Sequence, residues 1–199
     1  MADTAAVHAS VQKAYSKYAS EGKFEDDWEN NLRRLGYGRQ EIEKIPSTNM
    51  LRAECGAGNP FKMGMPSPGD WVVDLGCGAG VDSIIAASCV GPSGCVTGID
   101  MTEGMIHAAR DNVKAARKTN PISGKVEFHV AKFDDPKDDK MRRILQHTRG
   151  KASLVISNGA FNLSPNKRAA FQLAYEMLAP GARFQFSDVV VVPKTTEGA

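Results

Sequence analysis

Long apolar runs are missing from this chain. No stretch approaches the ~18 uninterrupted apolar residues of a membrane-crossing helix, so no transmembrane segment and no membrane partner are expected. An excess of one charge is missing too. Twenty-five Lys and Arg stand against 23 Asp and Glu, a formal net charge of +2. That is too little for a phosphate-tracking surface, so nucleic acid is not an expected partner. Cysteine is scarce: Cys55, Cys77, Cys89 and Cys95 make four, with no CxxC pair. The expectation is a reduced, cytoplasmic chain with mostly buried thiols. His8, His107, His129 and His147 are scattered without ligand spacing, so no metal site is expected. Met1-Ala2-Asp3-Thr4 carries neither a basic cluster before an apolar run nor a Gly at position 2, which predicts no secretory leader and no myristoyl group. Internal repeats and low-complexity segments are absent. What remains is an ordinary globular balance, 42% hydrophobic and 24% charged over 199 residues.

Punctuation divides the chain. Residues 5–19 and 25–35 read as helices, the second ended by Gly36, and a short third runs from Arg39 to Lys44 before Pro46. Ser47 to Pro68 is rich in Gly and Pro and reads as a loop or lid. Short apolar runs at 71–75, 95–100, 125–131, 152–157 and 183–192 then read as strands. Helices are predicted between them at 81–90, 102–117, 138–147 and 165–178. Thr102 is the expected N-cap of the second of these, with Met105, Ile106, Ala109, Val113 and Ala116 on its buried face. Ser164 is the expected N-cap of the last, with Pro165 as its first residue. Strand starts 24 to 31 residues apart fit strand–helix–strand units. The fold class is therefore α/β: a doubly wound, Rossmann-like parallel sheet of about five strands with an N-terminal helical appendage. The expected organisation is helices and lid-like loop over 1–68, a binding domain over 69–193 and a tail over 194–199.

The sharpest signal is Asp74-Leu75-Gly76-Cys77-Gly78-Ala79-Gly80, set between a predicted strand and a predicted helix. Glycines permit a tight turn and close approach of a ligand to the main chain, and the following helix N-terminus favours negative charge. Asp100 ends the second strand, 20 residues after Gly80, where a carboxylate can accept two ribose hydroxyls. Together they predict a nucleoside-binding site; the plainer reading is a tight turn and a helix cap. Cys77 occupies a position in the loop that needs a small side chain and is read as packing.

The spacing G-x-G-x-G after an acid differs from the dinucleotide pattern and resembles motif I of class I S-adenosylmethionine-dependent methyltransferases. VVDLGCGAGVDS, VTGIDMTEGMI, VISNGAFNLSPNKR and AYEMLAPGARFQFSD, with the upstream GNP, resemble the arsenite methyltransferases, and the likeness covers roughly residues 10–190. The resemblance implies S-adenosylmethionine as cofactor. It places the glycine loop under the methionine and ribose, Asp100 on the ribose hydroxyls, Met101 on the adenine face, the Phe133 N–H and the Asp134 carboxylate on the adenine ring, Asn158 at the methionine end, and Tyr15 over the sulfonium. Asn162 lies near the implied methyl site. No residue is nominated as a general base.

The resemblance breaks at the thiols. Ala57 and Gly159 stand where the family has arsenic-binding cysteines, the third such position lies past residue 199, and Cys55 is two residues from the first. A trivalent arsenic centre needs several thiolates. The expected function is thus an S-adenosylmethionine-dependent methyltransferase with a small-molecule acceptor other than free arsenite. The alternatives are arsenite methylation with fewer thiols or a partner's cysteines, and a non-catalytic homologue that only binds the cofactor. No strand is predicted after 183–192, so that edge, with Val189 to Val192, is expected to pair in a homodimer.

Overall fold

In a computed structural model, residues 3–21, 28–45, 56–119 and 122–191 are described. Three helices come first: α1 (Thr4–Glu21), α2 (Trp28–Leu35) and α3 (Arg39–Ile42). Strands and helices then alternate: β1 (Trp71–Leu75), α4 (Val81–Val90), β2 (Cys95–Asp100), α5 (Glu103–Thr119), β3 (Lys125–Val130), α6 (Asp139–Thr148), β4 (Ala152–Asn158), α7 (Lys167–Met177) and β5 (Leu178–Ser187). All strand pairs are parallel, in the order β3-β2-β1-β4-β5. The fold class is the expected one.

The alternating sides of the strands feed two apolar layers. Val72, Val96, Leu154 and Ile156 pack with Ile84, Ile85, Ile106, Ala109 and Val113 of α4 and α5. Val73, Leu75, Ile99 and Val155 pack with Met141 of α6 and Ala170, Ala174 and Met177 of α7. Helix α4 is buried along nearly its whole length, which explains its run of Val, Ile and Ala without a polar face. Strand order reverses between β1 and β4. The loops after β1 and β4 diverge there and leave a crevice at the carboxyl ends of the strands.

Several boundaries move from the sequence expectation. Helix α5 begins at Glu103 and runs to Thr119, and β4 extends to Asn158. Helix α7 begins at Lys167 with Asn166, not Ser164, as N-cap; the Asn166 side chain accepts the Ala169 N–H at 3.2 Å. Ser164 lies before the helix: its hydroxyl donates to Asp134 Oδ2 at 2.8 Å and accepts the Asn166 N–H at 3.1 Å, so it shapes the turn that leads into the cap. A 3₁₀ turn, Phe161–Leu163, occupies the residues just before it. Strand β5 starts at Leu178, five residues before the expected Arg183, with an irregular register between Ala152 and Leu154 of β4. It ends at Ser187. The Asp188 carboxylate then accepts the N–H groups of Asn162 (2.9 Å) and Val189 (2.7 Å), which turns the chain out of the ladder. Val189, Val190 and Val191 therefore lie beyond the strand and are exposed, while Val192 is outside the described residues. Residues 47–55 of the expected lid-like loop, Cys55 among them, are outside the described residues, as is Pro46; its later part includes a 3₁₀ turn, Pro60–Met63.

Candidate functional site

The floor of the crevice is the loop after β1. Gly76, Gly78 and Gly80 all have positive φ (76°, 51° and 86°), which a side chain would strain. Their surroundings differ. A Cβ on Gly76 would lie 2.3 Å from the Ala160 Cβ, and one on Gly80 would press on Ala109 and Phe128 at 3.1 and 3.2 Å. One on Gly78 would meet nothing within 4 Å. Gly76 and Gly80 thus let elements pack, and Gly78 keeps main chain open to the crevice. The N–H groups of Gly76 and Cys77 both donate to Ile99 O, at 2.8 and 3.0 Å, and tie the loop to β2. Cys77 is buried, and burial together with the nearby Asp74 and Asp100 carboxylates pushes its thiol well up. It stays a protonated packing group.

Asp100 is fixed by backbone donors. The Gly78 N–H reaches one carboxylate oxygen at 3.0 Å and the Thr102 N–H the other at 2.8 Å. Burial raises its carboxyl against these hydrogen bonds. Each oxygen has one N–H partner and the Thr102 side chain adds a further bond, which still leaves acceptor capacity toward the crevice.

Beyond β3, Phe133 stacks on Phe161 (ring centroids 5.2 Å apart), and Asp134 is buried. His8 of α1 bonds both Asp134 oxygens through Nε2, each at 3.0 Å, and Ser164 donates to one of them. Gln12 continues the same attachment: its Nε2 donates to Met101 O at 2.9 Å. Helix α1 is thereby fastened across the mouth of the crevice. His8 was missed by the sequence reading; its signal is that His8, Val11 and Tyr15 fall on one helical face.

Near the end of β4 a second polar cluster closes the crevice. Asn158 Oδ1 accepts the N–H groups of Ala57 (2.7 Å) and Gly58 (3.2 Å). Its Nδ2 lies within bonding distance of Gly58 O (2.8 Å), Tyr37 OH (2.9 Å) and Asp82 Oδ2 (3.1 Å). Tyr37 OH donates to Asp82 Oδ1 at 2.7 Å. This network joins β4, α4, the segment after α2 and the loop at 56–58. Burial pushes the Asp82 carboxyl up to about 6, while the bonds from Tyr37 and Asn158 pull it down. Asp74, under the glycine loop, accepts the Ser83 hydroxyl at 2.6 Å. The sequence reading missed Asp82 as well, although it sits in the first turn of the helix that follows the glycine loop.

These groups line one cavity of about 840 Å³, its open mouth and the solvent space there included. Asp74, Gly76, Gly78, Asp100, Met101, Phe133, Asp134, Asn158 and Tyr15 all reach it, as do His8, Asp82 and Gly159. Gly80 and Asn162 do not: Gly80 packs beneath α5, and the Asn162 N–H is bonded to Asp188. No cluster of three metal-ligating side chains occurs among the described residues, and none of their helices is long and apolar enough to cross a membrane.

The methyltransferase domain family matches residues 66–198. The arsenite methyltransferase of Halobacterium salinarum is 38% identical over 158 residues, covering 79% of this chain and 36% of that protein. The human arsenite methyltransferase is 30% identical over 119 residues, covering 60% of this chain and 30% of that protein. The crystal structure of an arsenic(III) S-adenosylmethionine methyltransferase from Chlamydomonas reinhardtii superposes with a TM-score of 0.54 at 30% identity, over 79% of this chain and 48% of that one. The chain spans about a third of the length of these curated relatives and about half of the solved one.

Proposed function

This chain belongs to the class I S-adenosylmethionine-dependent methyltransferases and is related to the arsenite methyltransferases, and on that premise we propose that it transfers a methyl group from S-adenosylmethionine to a small-molecule acceptor. The observation that carries the reading is the convergence of Asp74, Gly76, Gly78, Asp100 and Asp134 on one cavity at the carboxyl ends of β1, β2 and β3. The residues present suit the cofactor. Open main chain at Gly78, a two-oxygen acceptor at Asp100, and the aromatic and acidic pair Phe133 and Asp134 offer what a ribose and an adenine require. Four carboxylates against Lys132 and His8 suit a ligand with positive charge.

When bound, S-adenosylmethionine supplies a methyl group activated by a sulfonium. The chain's own work is positioning. Asp100 and the glycine loop hold the ribose, Met101 and Phe133 flank the base, and Asp134 accepts from its amino group. Tyr15 on α1 covers the reacting end and excludes water, and Asn158 anchors the loop that borders it. Alignment of nucleophile, carbon and leaving sulfur at near contact is the main source of rate in such a displacement.

The acceptor we propose is not free arsenite. Ala57 and Gly159 put no sulfur at that end, and Cys77 is buried and protonated. No observation favours a protein that only binds the cofactor. We further propose a cytoplasmic location, from the unpaired cysteine pattern, and a functional division into 1–68, 69–193 and 194–199, from the way His8 and Gln12 of α1 reach over the cavity. A homodimer along β5 is proposed because that strand pairs only with β4 among the described residues and Phe186 and Val189–Val191 are exposed beside it. Light scattering tests it, and a mass independent of concentration at the monomer value refutes it. The function itself is tested by transfer of labelled methyl across a panel of amines, phenols, thiols and arsenite. Labelled product with an organic acceptor supports the reading; turnover of arsenite alone contradicts the acceptor class.

A further inference from the structure

A formal charge of only +2 conceals a separation of charge. The cavity described above is acidic. A second concavity lies between edge strand β3 and α6, shares no lining residue with the first, and is basic. Arg110, Lys125, Lys140 and Arg143 face it, against the carboxylates of Glu103 and Glu127. Local pairing uses part of this charge. Lys125 bridges Glu127 at 2.8 Å, Glu103 lies 4.0 Å from His107, and Arg110 donates to Phe128 O at 2.7 Å. Lys140 and Arg143 have no ion-pair partner among the described residues. Asp139, which feels the charge of Arg143, is bonded to Arg142.

Lys140, Arg143 and His147 are spaced three and four residues apart on α6, so successive turns present them on one side. Across the groove stands His129 of β3, half-buried. Burial holds its ring below the usual value; Arg110 and Lys125 act the same way, and Glu127 opposes them. A neutral imidazole among uncompensated cations is a site short of an anion. The floor is of another kind. The Trp71 indole N–H donates to Thr97 Oγ1 at 3.0 Å, which satisfies the polar edge of the ring, and Ile144 lies partly buried nearby. We propose that this groove binds the phosphate monoester of a small planar molecule, with the phosphate between Lys140, Arg143 and His129 and the apolar part against Trp71 and Ile144. A phosphate dianion matches two unpaired fixed cations and leaves an oxygen for the imidazole, whereas a monocarboxylate leaves one cation unmatched.

The test is titration calorimetry with phenyl phosphate, inorganic phosphate and a single-stranded DNA octamer, at about pH 7.5, where the monoester is a dianion, and about 0.15 M salt, which screens loose surface attraction. Phenyl phosphate is expected to bind with a Kd below about 1 mM and at least about threefold more tightly than inorganic phosphate. Lys140→Ala and Arg143→Ala, both on the exposed side of α6, are each expected to weaken it at least about fivefold. Lys132→Ala, at the acidic cavity, is expected to change it less than about twofold. Proton NMR of the imidazole, assigned with His129→Gln, reads the contact independently. Saturating phenyl phosphate is expected to raise the His129 midpoint by at least about 0.5 pH unit, because an adjacent anion favours the imidazolium. Half-saturation only above about 10 mM marks an adventitious ion only and overturns the assignment. Unchanged affinity in Arg143→Ala, an unmoved His129 midpoint, or a loss in Lys132→Ala equal to that in Arg143→Ala also overturns it. An octamer that binds more tightly than phenyl phosphate contradicts it in favour of a nucleic-acid backbone.

Discussion

Asp82→Asn is expected to alter how stability depends on pH. The ordinary carboxyl value is 3.8, and burial raises that of Asp82 to about 6. A raised acid means that the folded protein keeps a proton which the unfolded chain has already released. Stability is therefore greatest below pH 4 and falls as pH rises through the window from about 4 to about 6. Two pH units at 1.36 kcal/mol each amount to about 3 kcal/mol, of which about 2 kcal/mol falls between pH 4.5 and 7.5. Asp82→Asn removes the titration and keeps the shape. Urea unfolding of both proteins at pH 4.5, 6 and 7.5 isolates the effect, because Asp100, which burial also raises, titrates in both and cancels in the difference. Relative to wild type, the variant is expected to gain about 2 kcal/mol on going from pH 4.5 to 7.5. Parallel stability profiles for the two proteins, differing by less than about 0.5 kcal/mol across the range, would refute the account of Asp82 as a carboxylate held ionised against burial.

Gly76→Ala adds a Cβ at positive φ, 2.3 Å from the Ala160 Cβ; a loss of about 2–4 kcal/mol in urea unfolding is expected, and a loss under about 0.5 kcal/mol contradicts the packing described. His8→Ala leaves the buried Asp134 with Ser164 alone. It should cost about 1–3 kcal/mol and speed proteolysis within α1; unchanged cleavage there would show that His8 does not fasten the helix. Purified protein with thiol and arsenite is expected to yield no methylated arsenic by mass spectrometry, and its appearance refutes the acceptor argument.

The middle of the fold was legible because local and tertiary preferences agree there. The ends of β1, α4 and β2 coincide with the apolar runs and the glycines that bound them. That Asp100 and Asp134 would meet at one cavity was legible through strand ends and family likeness. Legibility fails where a side chain has two uses. Ser164 looks like a helix cap, but its hydroxyl bridges Asp134 and the Asn166 N–H, and Asn166 caps instead. Val189 to Val191 look like the end of a strand, but Asp188 turns the chain out of the sheet first. His8 and Asp82 bond partners 126 and 45–76 residues away, so local position hints at them but does not say what they hold. The thiol positions were read directly: Gly159 lines the cavity and Ala57 follows the lining residue Gly56, and neither carries sulfur.

Calorimetric titration of the wild type and of Asp100→Ala with S-adenosylmethionine and with NAD tests the central claim most directly. The account predicts saturable binding of S-adenosylmethionine by wild type and none of NAD. It predicts a loss of roughly 1.5–3 kcal/mol per ribose hydrogen bond in the variant. Absence of S-adenosylmethionine binding by wild type, or equal binding by Asp100→Ala, would contradict it.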